Sequence, residues 1–178
     1  GRWNELSIWV LPPTLVGMPG LELLVPRTGL EQVYSALVKA GAAPMGFEAW
    51  EVLRVEAGVP RYGQDLVETT IPLEANLERA IHYNKGCYIG QEVIARATFR
   101  GQMNRKLTGL LLGGEPVPQG TELQREGKKV GWITSVVRSE RQGQHVALAY
   151  VHRDSLDSGT ALELAGLGRQ ATVHPLPF

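Results

Sequence analysis

From Lys106 onward the chain is a series of short β-rich runs separated by turns: KLTGLLL, TELQ, KVGWITSVV, HVALAYV, TALEL and QATVHPL. Glu126-Gly127 and Gln142-Gly143 are two of the turn signals between them. Strands this short, this regularly interrupted, predict a small antiparallel barrel or sandwich. That run of strands constrains the fold more than any other feature, because it claims the last two fifths of the chain for one closed unit.

The residues before it obey a different pattern. Leu6 to Leu11 and Leu21 to Val25 (LELLV) read as strands, the second as a buried one. Thr28-Gly-Leu-Glu31 has the form of a capping box. Leu30, Val33, Tyr34, Leu37 and Val38 then recur at helical spacing, so a helix is predicted over 28–40, stopped by Gly41. A second helix is predicted over about 47–57, burying Trp50 and Leu53, carrying Arg54 and Glu56, and ending at Gly58. Residues 59–72 read as a long loop, and Pro72 suits the first turn of a short helix from Leu73 to Leu77. Gln91 to Ala97 reads as helical again, with Gly101 as its stop. The class is therefore α+β. An α/β portion spans 1–103 and the β-barrel 104–178, with the boundary near 100–105. The opening GRWNELSIWVLP reads as the middle of something, so the chain is expected to be the C-terminal portion of a longer protein.

Composition excludes several functions. Lys plus Arg equals Asp plus Glu at 18 each, so no basic arm points to direct nucleic-acid binding and no basic patch to a membrane surface. No apolar run approaches the ~20 residues that span a bilayer, and no secretory signal opens the chain. A single cysteine cannot form an internal disulfide, which agrees with a reducing compartment, and the cytoplasm is the expected location. The 21 glycines include neither GxxxxGK[ST] nor GxGxxG. His82, His145, His152 and His174 stand at no ligand spacing with one another or with the cysteine, so no intrinsic metal is expected. There is no GxSxG elbow.

The one cysteine sits in NKGCYIGQE, residues 84–92. A lone cysteine is usually buried and inert. Against that, Lys85 lies two residues away and a helix is predicted to begin near Gln91; a cation and a helix N-terminus both favour a thiolate. Gly86 and Gly90 allow a tight, open backbone around Cys87. Tyr88, Gln91 and Glu92 would line its surroundings if the thiol works, and would be a packed ring and two solvated helix-start residues if it does not.

KGCYIGQE, residues 85–92, resembles the K-G-C-Y-x-G-Q-E signature of the YgfZ family, folate-binding proteins related to the T-protein (aminomethyltransferase) of the glycine cleavage system. GLELLVP (20–26), LRVEAGVPRYGQD (53–65) and ETTIPLEANL (68–77) resemble segments shared by both branches, and ARATFRG (95–101) resembles the run after the signature in the YgfZ branch. The resemblance implies two α/β domains around a hole for tetrahydrofolate, closed by a C-terminal barrel. This chain would hold a ferredoxin-like α/β portion of that T-protein-like fold and the barrel. It further implies a folate-binding accessory protein for iron–sulfur cluster assembly or repair. Its partners would be iron–sulfur proteins or assembly factors, including those serving tRNA modification, and Cys87 would be its functional thiol, assisted by Lys85.

The same comparison names cofactor residues and departures. The T-protein glutamate that holds the pterin aligns with Glu22, the tyrosine position falls on Leu15 and the arginine position on Trp50; the catalytic aspartate would lie before Gly1. A carboxylate can take two N–H bonds from a 2-amino-4-oxo ring, and Trp50 can stack on it. Arg54 would either pair with Glu51 three residues back, the preferred reading, or point at the folate hole. Two alternatives stand beside the accessory role: an aminomethyltransferase, disfavoured by Leu15, Trp50 and KGCYIGQE, and a non-catalytic binding module. Tetrahydrofolate is expected to bind this chain weakly or not at all.

Overall fold

A computed structural model describes residues 1–13, 19–99 and 103–178. The expectations placed on Leu15 and on Gly101 lie outside the described residues.

Two antiparallel ribbons open the chain. β1 (Arg2–Trp3) pairs with β2 (Leu6–Ser7), and β3 (Trp9–Leu11) with β4 (Glu22–Leu24). Among the described residues these ribbons are what stands for the ferredoxin-like sheet. The single strand expected over Leu6–Leu11 is thus divided at Ile8, which is buried. LELLV is a strand but not a buried one, since Leu21, Leu23 and Leu24 are exposed. A two-stranded ribbon has only one neighbour on each strand, so its apolar side chains are covered only where another element lies over them.

A 3-10 turn, Arg27–Gly29, leads into α1 (Leu30–Lys39). The capping box does not form. Gly29 takes the N-cap place with no side-chain cap, because the 3-10 turn has already absorbed Thr28. Gly29 is needed there for another reason: a Cβ on it would lie 2.3 Å from Leu6 Cδ1. The apolar stripe of α1 is real but only Val33 is buried; Leu30, Tyr34, Leu37 and Val38 remain exposed. α2 (Phe47–Glu56) ends as expected before Gly58, whose φ is 72°. Its burial is the reverse of the sequence expectation. Arg54, Val55 and Glu56 are its buried residues, while Trp50 and Leu53 are half-buried. Leu73–Leu77 is a set of turns and not a helix: Leu77 N–H reaches back to Pro72 O at 3.0 Å, and Asn76 takes a φ of 58° that a helix cannot continue. A 3-10 turn, Glu78–Ala80, follows, and after the cysteine loop comes α3 (Gln91–Phe99).

The barrel has the six strands expected: β5 (Arg105–Leu111), β6 (Glu122–Arg125), β7 (Lys128–Ser139), β8 (Gln144–His152), β9 (Ala161–Leu164) and β10 (Arg169–His174). They close in the order β10-β5-β8-β7-β6-β9, with every pair antiparallel. Closure gives every strand a neighbour on both sides. The unbroken apolar run of β8 follows from its position. Ala147, Ala149 and Val151 face the barrel interior with Leu110, Ile133 and Leu162. Val146, Leu148 and Tyr150 face outward and pack with Val55 of α2, Ala75, Leu107 and Phe178. A strand buried on both faces has no polar alternation to show. Gly131 is required where β7 crosses β8, since a Cβ would sit 2.1 Å from Tyr150 O.

Candidate functional site

The cysteine loop lies between the Glu78–Ala80 turn and α3, and it edges a cavity of about 410 Å³. Thr69, Thr70, Lys85, Tyr88 and Val93 are among its lining residues, with His82 at the same wall. Gly90, at φ 89°, turns the chain into α3, and the Val93 and Ile94 N–H groups close the first turn on Gly90 O at 3.1 and 3.2 Å. A side chain at that φ would be strained, which is why glycine stands there. Cys87 is exposed, as are Lys85, Gly86 and Glu92, whereas Tyr88 and Gln91 are half-buried. The Lys85 ammonium lies 4.5 Å from the Tyr88 ring centroid, a cation–π contact that fixes both side chains on the cavity wall. At the far rim the exposed Tyr62 hydroxyl donates to Glu68 at 2.5 Å. That bond holds the Tyr62 phenol above its ordinary range and the Glu68 carboxyl below its own.

The residues named for a pterin do not line this cavity. Glu22 begins β4, half-buried and engaged with a neighbour. Trp50 stacks on Phe47 with ring centroids 5.5 Å apart, and Arg61 covers the Phe47 ring at 5.4 Å. Arg54 adopts the internal pairing. Nε and Nη2 donate to Glu51 at 3.1 and 2.7 Å, Nη1 to Asp65 at 2.7 Å and to Val59 O at 3.2 Å, and Nη2 again to Ser135 at 2.8 Å. A guanidinium has five N–H donors, so none is left for a ligand. Arg54 as a cofactor-binding residue is therefore corrected: it is fully buried and spent on the protein itself. Glu22 and Trp50 retain the chemistry that a pterin edge and face require. Arg54 does not fit.

Glu51 is foreseen in the sequence as a partner of Arg54; Asp65 and Ser135 are not. Asp65, inside the segment read as a loop, is buried and accepts four hydrogen bonds. Thr134 and Ser135 donate to Oδ1 at 2.5 and 2.7 Å; Arg54 and the Arg61 N–H donate to Oδ2 at 2.7 and 3.0 Å. Neighbouring residues on a regular strand point to opposite faces. Here the register of β7 shifts between Ile133 and Ser135, and that bulge turns Thr134 and Ser135 toward the same oxygen. Two further buried carboxylates fasten the halves together. Glu56 takes the Ser139 hydroxyl at 2.6 Å, and Glu74 takes Arg105 Nε at 2.9 Å. The Arg105 guanidinium then lies over Trp132 and Tyr150.

Tyr150 completes the junction by donating to Asp65 O at 3.0 Å. Burial pushes its phenol up to about 12 from 10.0. Because the folded value is the higher, its neutral form stabilises the fold fully below pH 10 and that contribution is lost as pH rises from 10 toward 12. In a spectrophotometric titration at the tyrosinate band, one of the five tyrosines should ionise last. Tyr150→Phe should remove that step; an unchanged titration would contradict the assignment.

Among the described residues no group of three or more His, Cys, Asp and Glu side chains gathers as a metal site, and no helix is long and apolar enough to cross a membrane. His145 and His152 of the barrel bond locally, to Gly114 O at 2.7 Å and beside Asp154 at 3.5 Å.

Residues 2–85 match the family described as the GCVT N-terminal domain, and residues 105–178 the glycine cleavage T-protein C-terminal barrel domain. A chloroplastic relative from Arabidopsis thaliana, named only as a transferase of unspecified kind, is 35% identical, covering 100% of this chain and 42% of its own length. An aminomethyltransferase from Nostoc sp. is 38% identical over 91% of this chain and 44% of its own. The crystal structure of glycine cleavage system aminomethyltransferase T from Bartonella henselae superposes with a TM-score of 0.82 at 26% identity, covering 96% of this chain and 49% of that one. The chain spans about half the length of the curated relatives it matches.

Proposed function

From the premise that this chain is made of a GCVT N-terminal domain region followed by a glycine cleavage T-protein C-terminal barrel, we propose that it serves a tetrahydrofolate-dependent transferase of the aminomethyltransferase type. The observation that carries the reading is that both halves follow one another, in order, along a single aminomethyltransferase fold. In this reading residues 1–103 are the folate-binding α/β part and 104–178 a supporting barrel. Tetrahydrofolate supplies the one-carbon carrier. Glu22 would meet the hydrogen-bonding edge of the pterin, and Trp50 with Phe47 behind it would offer an apolar face. Arg54 holds α2 and the Arg61–Asp65 loop on the barrel, so its part is to keep that face in place. The compartment proposed is the cytoplasm, although the Arabidopsis relative belongs to the chloroplast.

The binding claim is tested by calorimetry with tetrahydrofolate. Affinity for this chain should be weak, and Glu22→Gln should lower it by about tenfold or more, the worth of a hydrogen bond to a charged group. Equal affinity in both proteins would remove Glu22 from the site.

One observation favours a second reading. Cys87 stands exposed on an open glycine-flanked loop beside a cavity, in the only eight-residue run that resembles the YgfZ signature. In that reading the protein is a folate-binding accessory factor for iron–sulfur enzymes and Cys87 is its working thiol. A folate-dependent aminomethyl-transfer assay separates the two: activity supports the transferase, and its absence with a working cellular function supports the accessory role.

A further inference from the structure

A second cleft opens on the opposite side of the Glu78–Ala80 turn from the cysteine loop. Ala80 lines the cysteine-side cavity, whereas Asn76, Leu77 and Arg79 line this one. The cleft exists because β10 parts from β5. Their pairing stops at His174 opposite Gly109, and the chain then leaves through Pro175, Leu176 and Pro177 toward the end of α2, where Phe178 N–H donates to Glu56 O at 2.8 Å. The edge of β5 thus freed is taken up below by other groups: Leu107 N–H donates to Glu74 O at 2.7 Å, Asn76 Nδ2 donates to Leu107 O at 2.9 Å, and the Thr108 hydroxyl donates to His174 O at 3.2 Å. What remains is a concavity of about 430 Å³.

Its chemistry is one-sided. Val59, Pro60, Leu156 and Leu176 make apolar walls, and Arg79 and Lys106 are the two charged lining residues; no Asp or Glu lines it. Arg79 has no ion-pair or hydrogen-bond partner among the described residues, and Lys106 meets Glu78 only at 3.7 Å with both side chains about half exposed. An exposed pair at that distance is worth little and holds neither group back from a better partner. Two cations at the mouth of a concavity with no carboxylate in its lining focus a positive potential into the cleft. Apolar walls with a few convergent polar groups are the usual construction of a small-molecule site.

We propose that this cleft between α2, the 76–79 turn and the β5 edge binds a small organic carboxylate with an apolar body. Arg79 takes the carboxylate in the forked geometry that guanidinium and carboxylate share. Lys106 adds a point charge. The apolar part lies against Val59, Leu156 and Leu176. The volume is too large for an inorganic anion to fill, so the body of the ligand contributes as well as its charge.

Benzoate is a suitable probe, followed by backbone-amide chemical shifts of this chain. Benzoate should produce saturable shifts at Leu77, Leu107 and Thr108. Benzyl alcohol, which has the ring without the charge, and inorganic phosphate, which has the charge without the ring, should each bind at least fivefold more weakly. The exposed double variant Arg79→Gln, Lys106→Gln should weaken benzoate at least tenfold with the remaining amide spectrum unchanged. The proposal is overturned if benzoate gives no saturable shift at these amides, if either control probe binds as well as benzoate, or if the double variant binds it undiminished.

Discussion

Asp65→Ala should destabilise the protein by about 3–5 kcal/mol, the range found when one partner of a buried ion pair is removed. The reason is the pairing on both of its oxygens. Without the carboxylate, Arg54 keeps its contact with Glu51 but loses the charge beside Nη1 in a place with no water to replace it. The Thr134 and Ser135 hydroxyls lose their shared acceptor, and the Arg61 N–H loses its own. Domain stabilities are commonly ~5–15 kcal/mol, so a loss of this size removes a large fraction of the total. Asp65→Asn, which keeps an acceptor oxygen and loses the charge, should fall between the two. The double replacement Arg54→Met with Asp65→Leu should recover part of the loss, because no unpaired guanidinium stays buried, Glu51 keeps Arg61, and only the Thr134, Ser135 and Arg61 N–H donors remain without their acceptor. Urea unfolding measures all four proteins. A loss under about 1 kcal/mol for Asp65→Ala would mean that the α2–barrel junction is held by the packing of Val55, Tyr150 and Phe178 and by the Glu56 and Glu74 bonds, with little from Asp65.

That junction also marks the limit of what the sequence could tell. The barrel was legible because its information is local: short β-rich runs and glycine turns announce themselves within ten residues, and Glu126 and Gly127 indeed take left-handed φ of 54° and 71°. α2 and α3 were legible by length and by their flanking glycines. Asp65 was not, because its partners Thr134 and Ser135 lie about seventy positions away and become co-directed only through a bulge that no residue type signals. The burial of Arg54 and Glu56 was hidden for the same reason. A charged residue on a helix is normally solvated, and only tertiary contact with Asp65 and Ser139 reverses that. The capping box at Thr28 and the helix at Leu73 failed by local competition, one to a 3-10 turn and the other to the bond from Leu77 back to Pro72. The periodicity of α1 was correct as helix and silent about burial. Within the candidate site, the sequence singled out the cysteine loop and its glycines but not the facing wall of Thr69 and Thr70.

Cys87→Ser should leave stability within about 0.5 kcal/mol, as substitutions at exposed positions do, and should abolish cellular function if the accessory reading is right. The structural ground for the first half is exposure: the thiol lies at the surface of a loop that Gly90 turns into α3, and serine occupies nearly the same space. The ground for the second is chemical. Metal ligation and sulfur transfer both use the thiolate, and an alcohol ionises far less readily than a thiol. One thiolate cannot hold a cluster alone, so the other ligands would come from a partner protein or small thiols. Accessibility is checked first: iodoacetamide should label Cys87 in the folded protein at a rate within a few-fold of the unfolded chain. Labelling that waits for unfolding would contradict the exposed loop. Complementation is checked second, and it divides the two functional readings. An aminomethyltransferase working through a folate-bound carbon has no step for this sulfur, so a fully complementing Ser variant that also transfers aminomethyl groups would leave the transferase standing and remove Cys87 from its mechanism. A folded, stable variant without function would place the working group of the protein on the cysteine loop.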